Sequence, residues 1–517
     1  MKRHPAGPHS NPKAANAKAV PDSTAALEDL WLRGVAANTG APADVLLRLL
    51  DPAGGEARRI LCEQRSLPQE VMDAAIAHPD AGVRRSFARN PHVPPAQRAR
   101  LVEDPHSLVR AQVASGPHPR PRQPRPLPDD ALVFLLTAED GGESGHLTAN
   151  EIAWELVSSY QLPPSFRYRM LGHEHPALRA LATDLWSGLT PEQRNALLAD
   201  PHPDVRARAE HHVRTADPAA MEAELPERAC HHRWSILNNY ALSDAVVEAC
   251  LADPESRLCL AGNPYTPRYA LVRLARDVDP AVRVRVAARA DLDPALWTEL
   301  AEDPDARVRT RIRVQPLPRT RAQCEAVDHE MGEGPLECCC LILEPYETPD
   351  PDWYRACAMS EEVVLRLAAA RCPALPADLV RRLARDPDEE VRHRLASWHP
   401  LAPAAIVLAA FVARPDQRPH LLAQSRLPRT GLAHLLGHED PEVRALAAAD
   451  PTGRAPVELL TDPNEHVRRA AAANPLFSRD TLETLLQDPA TAEGAAANPG
   501  LPDVRLHALL DSARLPR

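Results

Sequence analysis

Asp-Pro and Asn-Pro recur along this chain at a short, steady interval, and that rhythm limits the folds open to it. Residues 462–489 show the pattern whole: DPNEHVRRAAAANPLFSRDTLETLLQDP. Aligned on the Asn before the second Pro, the carboxy-terminal third places this slot at Cys372, His399, Gln424, Asp450, Asn474 and Asn498, spaced 24 to 27 residues apart. The middle third places it at Tyr160, Ser187, His212, Asn239, Asn263, Ala290 and Val314. The amino-terminal third places it at Asn38, Gln64, Asn90 and Ser115. That makes about seventeen copies of about 25 residues, several degenerate, and so short a period marks a stacked array.

Each copy reads as two short helices. Asp462 suits an N-cap, and Pro463 suits the first helical position, where no N–H is needed. Val467, Ala470 and Ala471 then share one helical face. Asn474 tolerates the left-handed conformation that ends many helices, and Pro475 steers the residue before it away from helical angles. Ser478 can cap a second helix, in which Leu482, Leu485 and Leu486 recur at i, i+3 and i+4. Sister copies put Pro in the place of Ser478, as in NPHVP (90–94), NPYTP (263–267) and NPGLP (498–502). Helices this short are marginal alone, so neighbouring copies must hold them. The expected fold is therefore all-α, an α-solenoid of two-helix repeats.

Composition agrees with a thin two-layer array. The 517 residues would otherwise suggest several ordinary domains, yet aromatics are only 4% against 55 prolines, too few for large globular cores. A net charge of −11 argues against a dedicated nucleic-acid binder, which draws affinity from neutralising phosphates. Lysine occurs only at Lys2, Lys13 and Lys18. Abundant Arg, Ala and Pro with scarce Lys is the mark of a GC-rich, bacterial genome, so arginine content alone says little of function. No segment is apolar enough to span a membrane, and the first residues lack the apolar stretch of a secretory signal. A cytoplasmic location is expected, with the ten cysteines as thiols.

The rhythm breaks twice. Residues 116–129, GPHPRPRQPRPLPD, are rich in Pro and Arg and cannot continue the helices, and DGGESGH (140–146) is also loop-like. Residues 316–353 lose the period and carry four cysteines. The expected organisation is a disordered tail (1–22), repeat block 1 (23–115), a linker (116–146), block 2 (147–315), a Cys-rich irregular insertion (316–353) and block 3 (354–517).

The pattern of Asp-Pro, three residues, Val-Arg, then Asn-Pro and a Leu-bearing helix resembles the leucine-rich repeat variant proteins, which are close in style to HEAT-like repeats. Strict Val-Arg pairs stand at Val83-Arg84, Val109-Arg110, Val205-Arg206, Val284-Arg285, Val308-Arg309, Val391-Arg392 and Val467-Arg468. The resemblance covers most of residues 35–511. It implies a right-handed superhelix of two-helix repeats, α/α or α/3-10, and no particular activity. Some members of that family carry a Cys-rich iron–sulfur segment ahead of the repeats; residues 1–34 hold no cysteine, so that feature is not carried over.

The recurring polar residues read best as structure. Arg110, Arg206, Arg309, Arg392 and Arg468 each follow an aspartate, at Asp104, Asp200, Asp303, Asp386 and Asp462, and can bridge carboxylates or helix-end carbonyls between copies. Asn263, Asn474 and Asn498 mark the helix stop. A row of Arg holding phosphate or an acidic peptide is the competing reading. In the insertion, Cys324, His329, Cys338 and Cys340 are the best metal candidates, but no C-x₂₋₄-C knuckle stands there and three consecutive cysteines cannot converge on one ion. His231 and His232 are adjacent and point apart on a helix, and GHEH (172–175) lacks the i, i+4 histidine pair of a zinc-protease helix. No catalytic, phosphate-binding or dinucleotide-binding motif occurs, and no cofactor is expected. Seven tryptophans remain, Trp31, Trp154, Trp186, Trp234, Trp297, Trp353 and Trp398, as gap fillers or as binding hot spots. The expected function is a non-enzymatic scaffold that binds another macromolecule, a protein, on an extended concave surface. A HEAT-like-repeat DNA glycosylase or nucleic-acid binder is the alternative, and a metal- or redox-sensing scaffold a second.

Overall fold

The computed structural model describes residues 23–118, 125–138, 148–289, 291–314, 319–332, 342–343 and 351–517. The described residues are all-helical apart from a two-residue parallel pairing of Arg319–Thr320 with Ile342–Leu343. The expected tail (1–22), much of the 116–146 linker and much of the 316–353 insertion lie outside the described residues. The chain divides into two compact units, one joining Met1–Val71 with Ala433–Arg517 and the other spanning Met72–Leu432. The dividing points fall inside repeat blocks rather than at either insertion.

The stretch 462–489 shows how local sequence builds one repeat. Its first helix is Glu465–Ala472, and the cap is Asn464, whose side chain accepts the His466 N–H. Asp462 is thus not the cap expected from the sequence. It lies two residues earlier, where its Oδ1 accepts the Asn464 N–H in a turn of its own. Asp104, Asp200, Asp303 and Asp386 likewise accept the N–H two residues on, from His106, His202, Asp305 and Asp388. The reason is that Pro presets the φ of a turn's second residue as readily as that of a helix's first.

Asn474 does not turn left-handed either. Among the described non-glycine residues, only Tyr160 and Arg514 have positive φ. Asn263, at the same slot, is extended at φ −67° and ψ 123°, because the following Pro disfavours helical angles there. The Asn side chain ends the helix by bonding instead. Asn474 Oδ1 accepts the Leu476 N–H, and its Nδ2 donates to the carbonyls of Ala448 and Asp450 in the preceding repeat. Those carbonyls are among the acceptors a helix end leaves without an intrahelical partner. Ser478 does cap the second helix, Arg479–Leu485, and Leu482, Leu485 and Leu486 are buried.

First helices stack on first helices. In the larger unit His231–Asn239, Pro254–Gly262, Pro280–Ala287 and Ala306–Val314 pack in that order. In the smaller unit Pro441–Ala448, Glu465–Ala472 and Ala492–Ala496 do the same, and the next helix in the stack is Ser23–Ala37, followed by Gly55–Gln64. The two ends of the chain therefore meet as consecutive repeats.

That meeting reproduces an internal junction bond for bond. Asn38 Nδ2 donates to Ala496 O at 3.0 Å and Asn498 O at 2.8 Å. Asn498 Nδ2 donates to Ala472 O at 3.2 Å and Asn474 O at 2.7 Å. Gly34 and Gly494 each stand four residues before these asparagines. A Cβ on Gly34 would lie 2.2 Å from Glu493 O, and one on Gly494 would lie 2.2 Å from Arg469 O, so both helices approach as only glycine allows. Glu493 pairs with Arg469 on one side and Arg33 on the other. Buried Arg48 then grips the end of the chain, donating to Leu515 O, Pro516 O and the Asp511 carboxylate.

Candidate functional site

The aspartates and arginines singled out in the sequence form an inter-repeat ladder. Arg110, Arg206, Arg309, Arg392 and Arg468 each donate from Nη1 to the carbonyls of their own Asp-Pro pair, 2.5 to 2.8 Å from the Asp oxygen. The carboxylates of the same aspartates are taken by arginines of the preceding repeat. Arg84 binds Asp104 through two nitrogens, Arg179 binds Asp200, Arg283 binds Asp303, Arg366 binds Asp386 and Arg444 binds Asp462. Each Asp thus joins one arginine by its side chain and the next by its backbone. The bridges are shielded: the Arg84 and Asp104 side chains are 11% and 2% exposed. Arg179 and Arg444 hold Asp200 and Asp462 below the usual carboxylate range.

Four of these arginines escaped the Val-Arg pattern. Arg179 and Arg366 follow Leu178 and Leu365, Arg444 follows Val443 in a copy whose Asp-Pro is shifted by two residues, and Arg283 stands two residues before the Arg of Val284-Arg285, the pair that fits the strict spacing. The structure sets the register at Val282-Arg283, where Arg283 reaches Asp303 and Asp277 O. An aliphatic residue followed by Arg, about 20 residues before an Asp, is the signal that finds them all.

The Asn slot also tolerates substitution. Arg65 donates to Ala36 O and Asn38 O, and Arg289 to Ala261 O and Asn263 O, the same two positions an Asn would reach. These replace the expected slots at Gln64 and at Ala290, which lies outside the described residues. Gln161, not Tyr160, reaches Val113 O and Ala114 O. Asn263 itself donates to Leu237 O and Tyr240 O.

Open grooves lie beside two of the bridges. One of about 450 Å³ is lined by Ile76, His78, Arg84, Arg100, Leu101 and Asp104. A second of about 260 Å³ is lined by Leu171, Gln193, Leu197 and Asp200. In the first, Arg84 and Asp104 bind each other, and in the second Asp200 is bound by Arg179, so the ladder groups beside both grooves are already engaged.

Among the described residues, no group of three or more His, Cys, Asp or Glu side chains is placed to hold a metal ion. Cys338, Cys339 and Cys340 lie outside the described residues, Cys324 lies in helix Arg321–Glu330, and His329 is exposed. Downstream of the exposed pair His231 and His232, Cys250 and Cys259 are buried, so these four side chains do not converge. Burial pushes the thiols of Cys62 and Cys372 up to about 12 and that of Cys250 to about 11, which keeps them protonated and unreactive at neutral pH. In GHEH, the two histidine rings cap turns, accepting the N–H groups of His175 and Ala177.

The tryptophans split by environment. Trp353 is fully buried, Trp234 packs on the core, Trp31 donates to Leu486 O and Trp186 stacks on His212. The Arg371 guanidinium lies 3.8 Å above the Trp398 ring. Trp154 and Trp297 are exposed, at 66% and 37%.

A further charge cluster, apart from the ladder, surrounds helix Arg321–Glu330. Asp328 is bound by Arg311 of helix Ala306–Val314. Glu330 faces Arg371 of helix Val363–Arg371 at 3.7 Å and Arg394 of helix Glu389–Trp398 at 3.1 Å. Its side chain is 3% exposed, yet neither its Oε1 nor the Arg371 Nη1 makes a hydrogen bond. Burial pushes the Glu330 carboxyl up in spite of the two arginines.

No protein-family model matches the chain, and neither does any curated protein. No helix among the described residues is long and apolar enough to cross a membrane.

Proposed function

We propose that this chain is a cytoplasmic helical-repeat scaffold of the leucine-rich repeat variant kind, and that it binds a partner protein across the exposed side of its stacked first helices. The reading is supported above all by the ladder. The Asp, Arg and Asn residues that define the repeat are engaged within it, each arginine on two carbonyls or on a carboxylate of its neighbour. Residues that are fully bonded and shielded build a frame, and they leave recognition to the positions that vary between copies. A net charge of −11 favours protein over nucleic acid as the partner.

Cross-linking of the purified chain in its native lysate, followed by recovery and mass spectrometry, tests this. One protein enriched reproducibly is the expected result, with no binding to abasic or alkylated DNA duplex at moderate salt. Duplex binding together with empty protein recoveries would overturn the reading in favour of a nucleic-acid binder.

A further inference from the structure

A helix within a stacked array touches the helices on either side of it. Helix Arg321–Glu330 does more. It packs on Val363–Arg371 and also reaches helices Ala306–Val314 and Glu389–Trp398, through Asp328 to Arg311 and through Glu330 to Arg371 and Arg394. It therefore bears on three first helices at once. Its carboxylates meet three arginines, one of which is laid flat on the Trp398 ring.

The fit is good at one end and poor at the other. Asp328 is hydrogen-bonded by Arg311. Glu330 is out of water and near two guanidinium groups, but its Oε1 accepts no hydrogen bond and the Arg371 Nη1 donates none. A buried charge pair returns its desolvation cost only when its geometry and hydrogen bonds are complete. The repeat ladder shows what completion looks like in this same chain, with two nitrogens of Arg84 on two oxygens of Asp104 at 2.6 and 2.9 Å. An occupant joined to the same chain needs no such fit, because its effective concentration is already in the millimolar range.

We propose that helix Arg321–Glu330 is a self-ligand, holding in reserve an arginine site formed by Arg311, Arg371 and Arg394 over Trp398, and that the external occupant is an acidic helical segment of the partner protein. This rests on the reading of the chain as a protein-binding scaffold. An incoming segment whose carboxylates meet Arg371 and Arg394 in two-pronged bonds replaces Glu330 and satisfies the orphaned nitrogen. Carboxylates on a helix are the favoured class because that is the chemistry the site already holds.

The test uses the full chain and a fluorescent synthetic peptide of residues 319–332, with binding followed by anisotropy. In the wild-type protein the tethered helix excludes the peptide. In the variant Asp328→Asn the tethered helix loses its charged bond to Arg311 and is weakened, and peptide affinity is expected to rise by about tenfold or more, equivalent to about 1.4 kcal/mol. Adding Arg394→Ala to that variant should remove the gain. Circular dichroism of each variant reports whether the remaining helices persist. Equal peptide binding by wild type and the folded Asp328→Asn variant would overturn the self-ligand, and so would a gain that survives Arg394→Ala. A duplex oligonucleotide that displaces the peptide at equal charge concentration would overturn the choice of occupant. Failure here with a partner still recovered by cross-linking removes only the self-ligand; failure of both removes the scaffold reading as well.

Discussion

Two junctions in this molecule invert the usual relation between chain continuity and structural continuity. Where the chain ends meet, no peptide bond joins the repeats, yet Asn38, Gly34 and Arg33 act as Asn498, Gly494 and Arg469 do one or two repeats away. Between residues 314 and 351 the chain carries the insertion, whose helix Arg321–Glu330 meets three others through Asp328 and Glu330, the latter a buried glutamate with an unbonded oxygen. The lesson is that the repeat interface is carried by side chains at fixed offsets from the slot. Residues at those offsets make the junction even between chain ends.

The largest effect that can sharpen this contrast lies at the insertion. Arg311→Ala leaves Asp328 buried without its partner, which costs about 3–5 kcal/mol for such pairs. The expected result is loss of hydrogen-exchange protection in helix Arg321–Glu330 while Ser23–Ala37 keeps its own. Equal loss in both would mean that the two junctions are not separately stabilised.

At the seam, Gly34→Ala forces a Cβ against the Glu493 carbonyl and should cost about 1–3 kcal/mol, the usual range for overpacking. Gly494→Ala should cost the same within error in thermal unfolding. A harmless Gly34→Ala beside a damaging Gly494→Ala would break the equivalence.

Acid gives a smaller and opposite response at the two places. Arg444 holds Asp462 below its ordinary value, so that bridge contributes stability above pH 3.8 and loses it as pH falls through the lower folded value. Glu330, faced by Arg394, Arg371, His329 and Glu390, is shifted up, so the folded state takes its proton first. Its burial penalty is relieved as pH falls through that raised value towards 4.5, and docking of its helix should then tighten. Hydrogen exchange between pH 6 and pH 4, corrected for intrinsic rates, should show protection of helix Arg321–Glu330 rising relative to Glu465–Ala472. A parallel fall in both would contradict the sign. Smallest of all is Arg33→Ala: the pair with Glu493 is partly exposed and should be worth only about 0.2–1 kcal/mol, so a Tm shift of many degrees would show that it does more than pair.

Much of this was legible in the sequence. The period, the two-helix repeat and the buried leucines follow from Asp-Pro, Asn-Pro and helical spacing, and Ser478 caps the helix its position suggests. What the pattern could not convey was which bond each polar residue makes. Asp462 and Asn464 are both good caps, and only the turn geometry shows that the helix starts after the second. Asn and Arg look unrelated in a linear pattern, yet Arg65 and Arg289 reach the same two carbonyls as an Asn because both present N–H donors to a helix end. The seam had a faint signal in the shared Gly-x-x-x-Asn of 34–38 and 494–498. Nothing in a linear reading says that the last repeat precedes the first.

The most direct test of that seam is a pair of substitutions, Asn38→Ala and Asn498→Ala, compared by thermal unfolding and by hydrogen exchange. Each removes two donors from helix-end carbonyls and should cost about 1–3 kcal/mol. The expected result is equal losses of stability, with Asn38→Ala lowering protection in both Ser23–Ala37 and Ala492–Ala496 as Asn498→Ala does in Glu465–Ala472 and Ala492–Ala496. An Asn38→Ala protein that unfolds like wild type, with Ala492–Ala496 fully protected, would contradict the claim that the chain ends meet as a true repeat junction.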